Sequence, residues 1–127
     1  MGVNVVPQIP PRKFRVGSHG HVELSDCGRI ELRPDEQVTF TTEAGAEYDV
    51  ARKAWGFYAT PSLNGRLPRF GLRPVLVKGL EEKFFVMLVE RGHEDAFRAY
   101  LAAEGLTLLR WLDDEGFLRG LEAGAGV

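Results

Sequence analysis

Guanidinium groups are the most concentrated chemistry in this chain. Arg66, Arg69 and Arg73 fall within eight residues that also contain Pro68 and Gly71, with Ser62 and Asn64 just before them and Trp55 and Tyr58 upstream. Guanidinium binds phosphate or carboxylate through paired donors in a planar fork. Glycine lets backbone amides approach an anion closely, and an aromatic ring offers a face for a sugar or base. No Asp or Glu occurs from Val50 to Leu80, a window that holds Arg52, Lys53, Arg66, Arg69, Arg73 and Lys78, so all 18 acids lie outside it. This set predicts a site for an anionic metabolite of the phosphorylated or nucleotide-sugar type. Neither GxxxxGK[ST] nor GxGxxG is present, so no standard phosphate loop is implied. The competing expectation is that these arginines pair with acids on flanking strands, such as Glu47, Asp49, Glu81, Glu82 and Glu90.

A second constellation is His19, His21 and Glu23. Residues two apart in a strand share a face. The alternation Val22, Leu24, then Ile30, Leu32 reads as a β-hairpin over 21–33, turning at Asp26-Cys27-Gly28 with Gly28 left-handed. That register sets Leu24 against Ile30 and Glu23 against Glu31. Two imidazoles and two carboxylates on one face are ligands that suit a divalent metal. The spacing H-x-H followed by Glu is similar, over these three residues, to the first motif of the cupins, small β-barrels of about this size. The resemblance implies a metal-dependent enzyme. Glu23 follows the histidines sooner than in that motif, and His93, at a helix start, is the one histidine left to complete a metal set. A solvated strand face, with Arg29 and Arg33 neutralising Glu31, explains the same residues and is preferred.

Other chemistry finds less footing. Arg, Tyr, Phe and Trp on a sheet can hold a single-stranded nucleic acid, but a pI near 5.9 and six positive charges in the window argue against it. Cys27 is the sole cysteine, which excludes an internal disulfide. No Ser-His-Asp arrangement is readable, and the non-catalytic reading is preferred with no cofactor expected. Asp113-Asp114-Glu115 reads as a solvated charge run.

The elements that position these groups are mostly strands. A length of 127 residues with 44% hydrophobic and 27% charged residues is that of one globular domain, and 15 Gly with 7 Pro fit frequent turns. Residues 1–12 read as an extended, Pro-rich lead-in and 121–127 as a disordered tail. Strands are expected at Gln37–Thr42, Glu47–Lys53, Leu72–Lys78 and Lys83–Arg91, the last as a central strand because FFVMLVE is almost continuously apolar. Residues 60–71 read as a long ordered loop or a loop plus hairpin, a kind of connection that is often functional. Glu94–Glu104 reads as a helix, with Phe97, Tyr100 and Leu101 on one stripe, acids in the first turn and Gly105 as the stop. Thr107–Leu112 is a last strand, and Glu115 onward a helical turn or tail. Trp55, Phe57, Phe84, Phe85, Met87, Phe97 and Trp111 are core candidates. The expected class is α+β, mainly β: an antiparallel sheet or small open barrel with one C-terminal helix and the order β-β-α-β at that end.

No signal peptide is readable in MGVNVVPQIPPRKF, and no apolar run reaches the length of a membrane span. A cytoplasmic protein is expected, and twelve Arg against four Lys point to a GC-rich bacterial source. The function expected first is a small binding or accessory protein for an anionic metabolite. The alternatives are a cupin-like metal enzyme and an interaction module in which apolar strand surfaces pair two copies.

Overall fold

Apolar residues dominate two segments of the stretch from Leu72 to Glu90, and these form its strands. In the computed structural model, which describes residues 4–17, 19–20, 22–59 and 61–124, β6 (Leu72–Lys78) and β7 (Phe84–Glu90) make an antiparallel pair. A 3-10 turn at Leu80–Glu82 joins them. The helix α2 (Glu94–Glu104) then returns the chain to β8 (Thr107–Trp111), which pairs with the other side of β6. The sheet order is therefore β7-β6-β8, and the end of the chain reads β-β-α-β. A final helix, α3 (Glu115–Gly124), follows. It replaces the expected tail up to Gly124; residues 125–127 lie outside the described set.

The rest of the chain is β1 (Asn4–Val16), β2 (Val22–Glu31), β3 (Gln37–Thr41), β4 (Glu47–Lys53), β5 (Gly56–Ala59) and a one-turn helix α1 (Arg66–Arg69). Among the described residues there are eight strands in three antiparallel sheets, β1-β2, β3-β4-β5 and β7-β6-β8, and no closed barrel. The α+β, mainly β expectation is met by an open arrangement. The chain groups into two compact units: residues 1–38 with 49–59, and residues 39–48 with 60–127.

The two units are built differently. Every buried apolar side chain among the described residues belongs to the second. One cluster is Val75 and Val77 of β6, Val89 of β7 and Leu101 of α2, with Met87, Phe97, Leu106, Leu108 and Trp111 packed around it. The other is Ala46, Leu67 and Leu72, with Tyr48 and Leu88. Alternation along β6 sends Val75 and Val77 toward α2 and Leu72 toward α1. Pro74 is tolerated in a central strand because its carbonyl accepts the Leu112 N–H. A residue's N–H and C=O point to the same neighbour, so the missing N–H faces β8 just beyond its last register pair, Val75 with Trp111. α2 ends as expected: Gly105 is left-handed at φ 69°, and the Leu106 N–H donates to the Leu101 carbonyl.

Several expectations are corrected. β7 is an edge strand among the described strands, and β6 is central, because β8 adds to β6. An apolar run alone does not say which strand gains two neighbours. Phe84 and Phe85 are accordingly exposed, as are Trp55 and Phe57, whereas Met87, Phe97 and Trp111 do pack on the core. Within α2, Leu101 is buried but Tyr100 is exposed. The hairpin expected over 21–33 is a single strand, β2, whose partner is the Pro-rich segment β1. Val16 pairs with Val22 and Asn4 with Glu31, so Leu24 faces Phe14 and Ile30 faces Val5. Asp26-Cys27-Gly28 is an irregularity in a strand, not a turn. Opposite it the register jumps from Pro7 to Arg12, where Pro10 and Pro11 have no N–H to give a ladder. Gly28 is required there: at φ 143°, a Cβ would lie 2.4 Å from the Val6 carbonyl oxygen.

Candidate functional site

The segment 61–73 is held from within. Ser62 Oγ accepts the Arg66 N–H at 2.8 Å, and the Ser62 carbonyl accepts the Leu67 N–H at 3.0 Å. These bonds wind the single turn of α1 and drive Leu67 into the core, where only 2% of it is exposed. The loop is thus anchored by one apolar side chain, and its polar residues sit at the surface. Arg66 lies over the Phe70 ring, 4.4 Å from the centroid. Arg69 is exposed and makes no ion pair or side-chain hydrogen bond among the described residues. Asn64 donates to Glu115 of α3.

Arg73 stands in a different setting. It leaves β6 beside β8, and its Nε and Nη2 donate to the two Asp113 carboxylate oxygens at 2.9 and 3.3 Å. Glu94 lies 3.7 Å from Nη1, and the guanidinium carbon is 4.0 Å from the Trp111 ring centroid. Both charged partners are well sheltered, Arg73 at 28% and Asp113 at 14% side-chain exposure. The pairing to Asp113 raises the Arg73 pKa further above its ordinary value, against a smaller opposing effect of burial. The Glu94 carboxyl lies below its ordinary value, chiefly because its own backbone N–H donates to it, and further because of the Gly92 N–H and Arg73. Glu94 thus closes the start of α2 and touches Arg73 at once.

The flanking acids expected to answer the arginines, Glu47, Asp49, Glu81, Glu82 and Glu90, are not the ones that meet Arg73. Asp113 and Glu94 do, and Asp113 had read as part of a solvated charge run. Lys78 pairs with Glu82 at 3.2 Å, and Thr42 donates to Glu90 at 2.9 Å. Trp55 and Tyr58 belong to the first unit, at the turn and second strand of the β4–β5 hairpin, and both are exposed.

The His/Glu constellation is laid out along β2 and its approach. His19 sits in the turn before β2, and His21 lies outside the described residues. Glu23 faces Arg15 in the register and lies 3.7 Å from its guanidinium and 3.9 Å from the Lys13 ammonium. Glu31 is eight residues further along the same strand, about 26 Å away at ~3.3 Å per residue. The Glu23–Glu31 juxtaposition expected from a hairpin is therefore absent. Among the described residues, no three of His, Cys, Asp and Glu gather as a metal would need.

The first unit also contains a groove of about 640 Å³ lined by Arg29, Arg33, Arg52, Glu31 and Phe57 together with apolar neighbours. The expected neutralisation of Glu31 by Arg29 and Arg33 is not met, since no ion pair joins these described residues. The chain matches no family model, no curated protein and no solved structure. No described helix is long and apolar enough to cross a membrane.

Proposed function

We propose that this chain is a small non-catalytic binding protein that receives an anionic metabolite at residues 61–73. The observation that supports this reading is Arg69: an exposed guanidinium without an ion pair among the described residues, on a loop fixed by the burial of Leu67. Arg66, one turn away, lies over the Phe70 ring at 4.4 Å from its centroid and belongs to the same segment. An anion that meets Arg69 gains charge-assisted hydrogen bonds without ordering a mobile loop first. Ser62 and Asn64 border the same loop. Arg73 borders it as well, but its fork is committed to Asp113 with Glu94 beside it, so it offers an anion neither a contact nor an unbalanced charge. The reading uses residues of the second unit alone.

Titration with inorganic phosphate, AMP and a uridine diphosphate sugar, followed by backbone amide shifts, tests it. Saturable shifts in residues 61–73 are expected, and Arg69→Glu weakens binding by at least about tenfold. No response in that segment at millimolar ligand rejects the reading.

A further inference from the structure

We infer that the first unit carries a second, independent site: a groove in which Arg29, Arg33 and Arg52 hold the phosphate of a small nucleotide while Phe57 stacks on its base. The groove has a volume of about 640 Å³, within the range of small-molecule sites. Its positions are set by backbone, not by side-chain packing. Arg33 opens a turn in which the Glu36 N–H donates to the Arg33 carbonyl at 3.1 Å and the Glu36 carboxylate accepts the Arg33 N–H at 2.7 Å. The same turn is tied to β4: the Asp35 N–H donates to the Arg52 carbonyl at 2.6 Å, and the Arg52 N–H donates to the Glu36 carbonyl at 2.9 Å. Lys53 reinforces it through Asp35 at 2.5 Å. The turn that carries Arg33 is thereby fixed to the strand that carries Arg52. Arg52 is directly opposite Phe57 in the β4–β5 register, so both side chains project from the same face. Arg29, opposite Val6 on the β1–β2 ribbon, completes the lining.

The electrostatics favour an anion. None of the three guanidiniums has an ion pair or side-chain hydrogen bond among the described residues, whereas Arg12, Arg15, Arg73 and Arg119 all pair with carboxylates. Three cations gathered around one groove repel each other, and a bound phosphate relieves that repulsion while filling the planar forks. The rest of the lining selects the body of the ligand. Phe57 leaves 64% of its surface exposed beside Arg52, and Ile30, Leu32 and Pro34 supply apolar wall. A bare phosphate would leave these wet; a nucleobase covers them. Glu31 is the one acid of the groove and accepts from a ribose hydroxyl or an exocyclic amine.

The test uses the full chain with AMP, ribose 5-phosphate, inorganic phosphate and a dT oligonucleotide, read by amide shifts. AMP is expected to shift residues 29–34, 52 and 57, with Arg52→Gln and Arg29→Gln each weakening it about tenfold or more. Phe57→Ala is expected to weaken AMP and leave ribose 5-phosphate unchanged. Shifts confined to residues 61–73 leave the loop reading standing and overturn this one; shifts confined to 29–34, 52 and 57 do the reverse. Equal affinity for AMP and inorganic phosphate, or tighter binding of the oligonucleotide, overturns the assignment to a small nucleotide. Arg29 is exposed on its strand, so its variant keeps the test valid if Arg52→Gln lowers the melting temperature.

Discussion

Removing the Arg73 guanidinium strips Asp113 of two hydrogen bonds and Trp111 of its stacked cation. Because Asp113 is sheltered, its carboxylate would be left short of partners in a poorly hydrated place. Arg73→Met is expected to cost roughly 2–3 kcal/mol, measured by urea unfolding. Arg73→Lys keeps the charge but loses the fork and should recover only part of this. Glu94 gives the same neighbourhood a pH dependence. Its folded pKa lies below the ordinary 4.5, so its contribution is present above that value and is lost as pH falls through the folded pKa. The difference in unfolding midpoint between the native chain and Glu94→Gln should therefore shrink as pH is lowered from about 6 to about 3. A difference that stays constant with pH would show that Glu94 is not stabilised as a carboxylate. Nothing local in the sequence pointed to this hub. Asp113 is 40 positions from Arg73, and a run of three acids is ordinarily solvent-facing.

Gly28 shows how one position governs an element. A Cβ there would collide with the Val6 carbonyl, and the backbone at φ 143° is unfavourable for any other residue. Gly28→Ala should cost about 2 kcal/mol and make the amides of β1 and β2 exchange faster still than in the native chain. Protection unchanged in both strands would refute this. The resemblance of β2 to a hairpin in sequence has the same origin. Gly in a left-handed conformation marks a tight turn or a bulge equally well, and both preserve apolar alternation on either side. What decides between them is a partner strand, and β1 looked like a lead-in because of its prolines. The bounds of α2, by contrast, were legible, since its acids and Gly105 act within a few residues of the ends they mark; the exposure of Tyr100 was not. Edge or central position for β7 was not legible, because it depends on where β8 returns, after an intervening helix.

At the level of the whole chain, the two units differ in what holds them. The second has two apolar clusters with Val75 and Val77 fully buried; the first has no buried apolar side chain among the described residues. Its order rests on ladders, cross-strand ion pairs such as Arg12 with Asp26, and the turn at 33–36. Local opening should therefore be much easier there. Native-state hydrogen exchange is expected to separate slow amides in β6, β8 and α2 from fast ones in β1 and β2. Equal protection in both sets would contradict the picture. The candidate sites divide in the same way, since the acid-free window places Arg52 in the first unit and Arg66, Arg69 and Arg73 in the second. Charge segregation was plain in the sequence; its separation into two settings was not.

The edge position of β7 has a practical side. Phe84, Phe85 and Val86 stand exposed on a strand whose far edge pairs with no other described strand, in a run free of proline and of charge. Such a segment is a template for sheet growth between chains. Lys83 and Glu90 flank it and act as gatekeepers, placing a charge at each end of an otherwise sticky ribbon. Colloidal behaviour in concentrated solution would thus depend on the charges of Lys83 and Glu90 at the two ends of this ribbon.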